Sequence, residues 1–160
     1  MKIPNTLVGV AGEYFVAAEL SRRGWIASVT MRNTAGIDIL ATHPDGSHSV
    51  TIQCKTSGGK IKKWLLDKKA ETFVSDNHYY VFVVLGGCDE RPHFHVVPSA
   101  VVAEFVRESH ARWLATPSRD GSRHKDSNMR NFRDLHDEFL DQWSVLDEPV
   151  ADSVEETAAA

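Results

Sequence analysis

Two apolar, β-branched runs flanking a Pro-Asp-Gly turn constrain this 160-residue chain more than any other stretch. The first run is Gly36-Ile37-Asp38-Ile39-Leu40-Ala41 and the second is Val50-Thr51-Ile52-Gln53-Cys54-Lys55, with His43-Pro44-Asp45-Gly46-Ser47 between them. The simplest local structure is a β-hairpin. A turn centred between Asp45 and Gly46 sets Asp38 opposite Gln53. Directly opposed side chains share a sheet face about 5 Å apart at Cβ, and Lys55, two residues on, shares that face. Ile37, Ile39 and Ala41 then point the other way, with Val50, Ile52 and Cys54. One face is greasy, and the other carries a carboxylate, an amide and an amine. Burying such groups unpaired is costly, so gathering them on one hairpin points to a use.

The length suits one domain, expected over residues 1–146. From Asp147 to Ala160 there are five acidic residues and no basic one, and this stretch is expected to be a disordered acidic tail. The net charge of −4 belongs to that tail, because without it eighteen basic residues face seventeen acidic ones. Any nucleic-acid contact must therefore come from local patches. No secretory leader and no long apolar run is present, so the expectation is a cytoplasmic protein with no membrane partner. Cys54 and Cys88 make no metal-ligand spacing, and both lie in strand-like runs where core cysteine is expected.

Asn5 is expected to cap a helix over 6–23, with Leu7, Ala11, Tyr14, Phe15 and Ala18 as its apolar stripe. Gly24 would end it. On the other side Glu13 is flanked by Gly9, Val16, Ala17 and Leu20. It is either a solvated glutamate at the edge of the stripe or a carboxylate aimed into a cleft. Glu19 lies on a more polar part of the wheel and is expected in solvent. Trp25–Thr30 reads as a strand and Arg32-Asn33-Thr34 as a turn. After the hairpin, Ser57-Gly58-Gly59 marks a loop carrying Lys60, Lys62, Lys63 and Trp64. This loop is either solvated dressing or a nucleic-acid contact of cationic ends beside an aromatic face.

A short helix is expected over 67–75, a buried strand over 79–85 and a further strand over 92–97. His93 and His95 form a His-x-His pair on that last strand. Such a pair can bind a metal, but no third ligand is visible nearby, and a polar strand face is the favoured reading. Pro98 starts a helix reaching Ala115. A polar loop over 118–128 follows. A final amphipathic helix would carry Phe132, Leu135, His136, Phe139, Leu140 and Trp143. The order gives an α/β fold with a mixed sheet, helices on its faces and added C-terminal helices.

The residues also resemble a known family. A helix with Gly-Glu-x-x-x-Ala-x-x-Leu, then Gly-Ile-Asp-Ile-Leu-Ala, then Ile-Gln-Cys-Lys-Thr-Ser after a hairpin turn is similar to the PD-(D/E)XK nuclease superfamily. Within it the pattern resembles Holliday-junction-resolvase-like and Mrr-type endonuclease domains over about residues 5–85. Ile37 replaces the usual proline, and Gln53 stands at the usual acidic position. The resemblance implies a restriction-endonuclease-like core and a DNA endonuclease dependent on Mg²⁺ or Mn²⁺. Asp38, Gln53, Glu13 and the carbonyl of Cys54 would hold the metal, and Lys55 would orient the attacking water. The alternative readings are a nucleic-acid-binding module of the same fold or a protein-interaction domain. A homodimer that cuts both strands is compatible with the resemblance.

Overall fold

A computed structural model describes residues 3–31 and 36–147 of the chain. The expected turn at 32–34 and most of the acidic tail lie outside these. Helix α1 (Asn5–Arg22) leads into β1 (Ile26–Val29), β2 (Ile39–Thr42) and β3 (Ser49–Ser57). Then come β4 (Lys63–Asp67), a 3₁₀ turn at Lys68–Glu71, β5 (His78–Val84), β6 (His93–Pro98) and helix α2 (Ser99–Ala115). Strand β7 (Met129–Arg133) and a 3₁₀ turn at Trp143–Leu146 close the described chain.

One sheet has the order β1-β2-β3-β5-β6, with β3 and β5 parallel and the other neighbours antiparallel. The hairpin register is the expected one: Ile39 faces Ile52 and Ala41 faces Val50. Gly46 takes φ 73°, which glycine adopts without strain, and its N–H closes the turn on His43 O at 2.9 Å. Strand β5 is buried along its whole length, as its unbroken apolar run requires. Ile39, Ala41, Val50, Ile52 and Cys54 join Val16 and Leu20 of α1 in one core. Tyr80, Phe82 and Val84 join Val102 and Val106 of α2, and Trp64, Leu66 and Phe132, in a second core on the other face.

Several expectations are corrected. Pro4, not Asn5, precedes the first turn of α1, and no side chain caps it. The buried face of α1 is Val8, Gly12, Val16, Glu19 and Leu20, while Leu7, Tyr14 and Phe15 are exposed. The helix is apolar on most sides, so periodicity selects no face. Contact selects the small one, because a Cβ on Gly12 would sit 1.8 Å from Thr56 Oγ1 of β3. Glu19 is buried and bonded by Arg22 (2.8 Å), Arg23 (2.6 Å) and Arg91 (3.3 Å). Cys88 is exposed rather than core. The helix expected over 67–75 is the single 3₁₀ turn.

The last helix is also absent. Residues 129–133 instead pair antiparallel with β4 as a two-stranded ribbon, setting Phe132 opposite Trp64. Beyond it, Asp134 accepts the N–H groups of Glu138 and Phe139, and Asp137 and Asp141 adopt positive φ, which ends any helical path.

Two tests follow from this packing. Gly12→Ala should destabilise by about 1–3 kcal/mol through overpacking. Gly9→Ala, with nothing within 4 Å of its Cβ, should instead stabilise by roughly 0.5–1 kcal/mol. Urea denaturation of both variants measures the contrast. His78 is buried and its imidazole is held down to about 4 by that burial. The unfolded chain, with its ordinary value of about 6.5, binds that proton first. Stability is therefore full above about pH 6.5 and falls as pH drops toward 4. Denaturation midpoints at pH 7 and 4.5 should show a smaller loss in His78→Gln than in the parent.

Candidate active site

Asp38 lies one residue before β2, where the regular ladder stops. Its N–H donates to Ile52 O at 2.8 Å, and its carbonyl accepts the Thr30 N–H at 2.8 Å. The backbone is thus tied to both neighbouring strands. Its carboxylate then reaches past Gln53, and Oδ2 accepts the Cys54 N–H at 2.7 Å. Asp38 therefore straddles Gln53, with its N–H on the residue before and its side chain on the residue after. Burial raises the Asp38 carboxyl above the ordinary range, and the Cys54 N–H and the Lys55 ammonium oppose that rise.

Gln53 and Lys55 occupy the opposite face of β3 from Cys54, as alternation demands. In the parallel register Gln53 pairs with Tyr80 and Lys55 with Phe82. Both side chains line a cleft of about 620 Å³ together with Gly36, Asp67, Lys69 and Phe73. Tyr80 lines it too, and burial pushes its hydroxyl up to about 12, so it stays a neutral donor. Nothing in the linear pattern singles out Asp67, Lys69 or Phe73 for this cleft. They arrive on the segment that crosses from β3 to β5.

Glu13 comes from α1 on the other side. Gly12 seats that turn of the helix against Thr56, and Glu13 is half-buried beside it. The Cys54 thiol is pushed well up by burial, then by the charges of Asp38 and Glu13, with Lys55 opposing. Glu13, Asp38 and Lys55 therefore all lie within electrostatic reach of one sulfur atom.

The lysine loop divides. Lys60 and Lys63 are exposed, whereas Lys62 Nζ is bound to Asp137 Oδ2 at 2.6 Å. Trp64 corrects the expectation of a base-stacking ring. It is 2% exposed, packs against Phe82 and Phe132, and donates its Nε1–H to Val83 O at 3.0 Å. Strand alternation in β4 turns it inward, so its face is spent in the core.

A buried carboxylate held above its ordinary pKa binds a proton more readily folded than unfolded, so it subtracts stability at neutral pH and subtracts less as pH falls. Asp38→Asn keeps an oxygen for the Cys54 N–H and removes the charge. The expected outcome at pH 7 is an unchanged or higher Tm, with the difference from the parent shrinking as the parent is acidified. A thermal melt series measures both.

No protein-family model matches the chain, and no curated protein sequence matches it. Among solved structures, the bacterial homing endonuclease I-Ssp6803I superposes with a TM-score of 0.54 at 14% identity, covering 91% of this chain and 94% of that one. The Archaeoglobus fulgidus Holliday junction resolvase Hjc is also similar, with a TM-score of 0.45 at 14% identity over 78% of this chain and 83% of that one. The mixed sheet, the helix laid on β3 and the correspondence to the homing endonuclease show that the chain has a restriction-endonuclease-like fold.

Proposed function

We propose that the chain is a DNA endonuclease that hydrolyses phosphodiester bonds with a divalent ion held by Asp38, Gln53, Glu13 and the Cys54 carbonyl. The observation that carries this reading is the state of Asp38. Its carboxylate is half-buried, oriented by its own backbone and by the Cys54 N–H, and incompletely compensated, at the sheet end beside Lys55. Carboxylates perturbed by desolvation and a specific charged neighbour cluster at functional sites.

The residues fit such an ion. Every candidate donor is oxygen, which suits hard cations such as Mg²⁺ or Mn²⁺, and an ion would relieve the desolvated Asp38 charge. When bound, it supplies an acidified water and neutralises phosphate charge. The chain's own residues do the rest. Asp38 is oriented by three hydrogen bonds to backbone groups, so its other carboxylate oxygen needs little reorganisation to act as a ligand. Lys55, in the cleft, orients the nucleophilic water and offsets charge building on the phosphate oxygens. Tyr80 offers a neutral hydroxyl to the same space. Lys60 and Lys63, exposed beside the cleft strand, contact the DNA backbone without reading sequence. Double-strand cleavage would take two copies of the chain.

Conversion of supercoiled plasmid in Mg²⁺ or Mn²⁺ tests the reading. Asp38→Ala and Lys55→Ala should each slow nicking by about 10²–10³-fold while the circular dichroism spectrum is unchanged. If both cut as fast as the parent, the site is elsewhere. Charge-neutral variants at Lys60 and Lys63 should lower the salt slope of DNA binding by roughly one for each lysine lost.

One observation favours a second reading. Gln53 removes an anionic ligand from the cleft, which suits a module that binds nucleic acid without cutting it. The parent would then shift plasmid mobility without nicking, and Gln53→Glu, by restoring the charge, would be the variant that cuts.

A further inference from the structure

The His-x-His pair of β6 lacked a third ligand in the linear sequence, and the fold brings two carboxylates, Asp134 and Asp137, to one of its members, His95. His95 is fully buried against Trp64, with ring centroids 5.3 Å apart. Its Nδ1 lies 2.7 Å from Asp134 Oδ2. Asp134 is itself fixed, accepting the N–H groups of Glu138 and Phe139 at 2.9 and 3.0 Å. A carboxylate accepts, so Nδ1 carries the proton of this bond, and in the neutral ring Nε2 offers a lone pair.

That lone pair faces Asp137 Oδ1 across 4.0 Å. Both atoms are buried, and neither has a hydrogen-bond partner among the described residues. The gap is too wide for a direct hydrogen bond. With the ring neutral, the two face each other as acceptors and a cation fits between them. Asp137 is kept there at a cost, for its backbone sits at φ 58°, a conformation that non-glycine residues rarely adopt. Its other oxygen is occupied by Lys62 Nζ at 2.6 Å, which leaves Oδ1 aimed inward.

We propose that His95 Nε2 and Asp137 Oδ1, backed by Asp134, bind one zinc-like transition-metal ion at a site separate from Asp38, with His93 at its entrance. Bonds of about 2.0–2.2 Å to nitrogen and oxygen set tetrahedral ligand atoms about 3.4 Å apart. The 4.0 Å gap thus has to close by about 0.6 Å. A carboxylate holding the far nitrogen of a ligating histidine is the usual support of such sites, and Asp134 is the positioning residue here. His93 lies two residues along on the same face of β6, near enough for its charge to act on Asp137. It is exposed and lines a surface groove with Lys60, Lys62 and Arg91, which gives an ion a way in. The Lys62 ammonium opposes any cation, so the site favours an ion that binds imidazole well over Mg²⁺. An ion here ties β6 to the 134–141 segment.

The test uses the full chain carrying Asp38→Ala, which removes the other candidate ligand set, and it does not read plasmid cleavage. After chelator treatment and gel filtration, Zn²⁺ or Co²⁺ is added. Metal per chain, the visible absorption of Co²⁺ and the thermal midpoint are then measured. One ion per chain, a tetrahedral Co²⁺ spectrum and a raised midpoint are expected. Asp137 is partly exposed, so Asp137→Asn should fold and should bind at least tenfold more weakly. Asp134→Asn should weaken binding by about 10–100-fold, and His95→Gln should abolish the Co²⁺ spectrum. The proposal is overturned if the folded chain takes up neither ion, or if Asp137→Asn binds as tightly as its parent.

Discussion

Strand β3 is shared by an antiparallel neighbour, a parallel neighbour and a helix, and its alternation must satisfy all three. Val50, Ile52 and Cys54 face α1, while Thr51, Gln53 and Lys55 face the other way. A slip of one residue would press an amide and an ammonium into the α1 core and expose three apolar side chains. The register is therefore strongly determined, and the candidate site inherits that precision. The Cys54 N–H meets Asp38 only in this register. Gln53 lies beside Tyr80 only if the parallel pairing with β5 holds as well. Thr56, a little farther along the strand, is the surface on which Gly12 seats the turn of α1 that carries Glu13.

The connection between the parallel strands β3 and β5 is not a long helix. It is β4 and one 3₁₀ turn, and β4 finds its partner in β7, far along the chain. Helix α2 then covers what the crossover leaves bare. The second core is thus assembled from distant segments, with Phe132 stacked on Phe82 at 4.4 Å between ring centroids. One consequence is functional. The 66–73 segment lies alongside the polar face of β3 and makes the wall of the cleft, where Asp67, Lys69 and Phe73 join Gln53 and Lys55.

Buried charge is handled in two different ways. Glu19 is met by three arginines, and Arg130 by Glu71 and by the carbonyls of Ser127 and Met129. Such saturated groups cost little beyond their desolvation and lock local structure. Asp38, half-buried, is met among the described residues by the Cys54 N–H and the field of Lys55, and desolvation still prevails. His95 and Asp137 keep two buried atoms without hydrogen-bond partners among the described residues. The contrast separates charges that hold the fold together from groups left with capacity to bind something else.

Short-range chemistry was legible in the sequence. The hairpin, its register, the greasy and polar faces, the buried β5 and the start of α2 at Pro98 all follow from turn residues and alternation over a few positions. Gln53 and Lys55 could be placed because they sit on a strand whose period is two, and Asp38 because it directly precedes the strand paired with it. What the linear chain left open are matters of partner choice. α1 is apolar on most sides, so only contact with Thr56 decided which face was buried. The segment 129–143 carries apolar residues at helical spacing, yet pairing with β4 makes 129–133 a strand, and the left-handed Asp137 and Asp141 break the rest into turns. Trp64 read as an exposed ring and became core because β7 supplied a second strand. Periodicity reports what a segment does to its near neighbours; which distant surface it meets is a free-energy comparison among many surfaces, and only the assembled chain makes it.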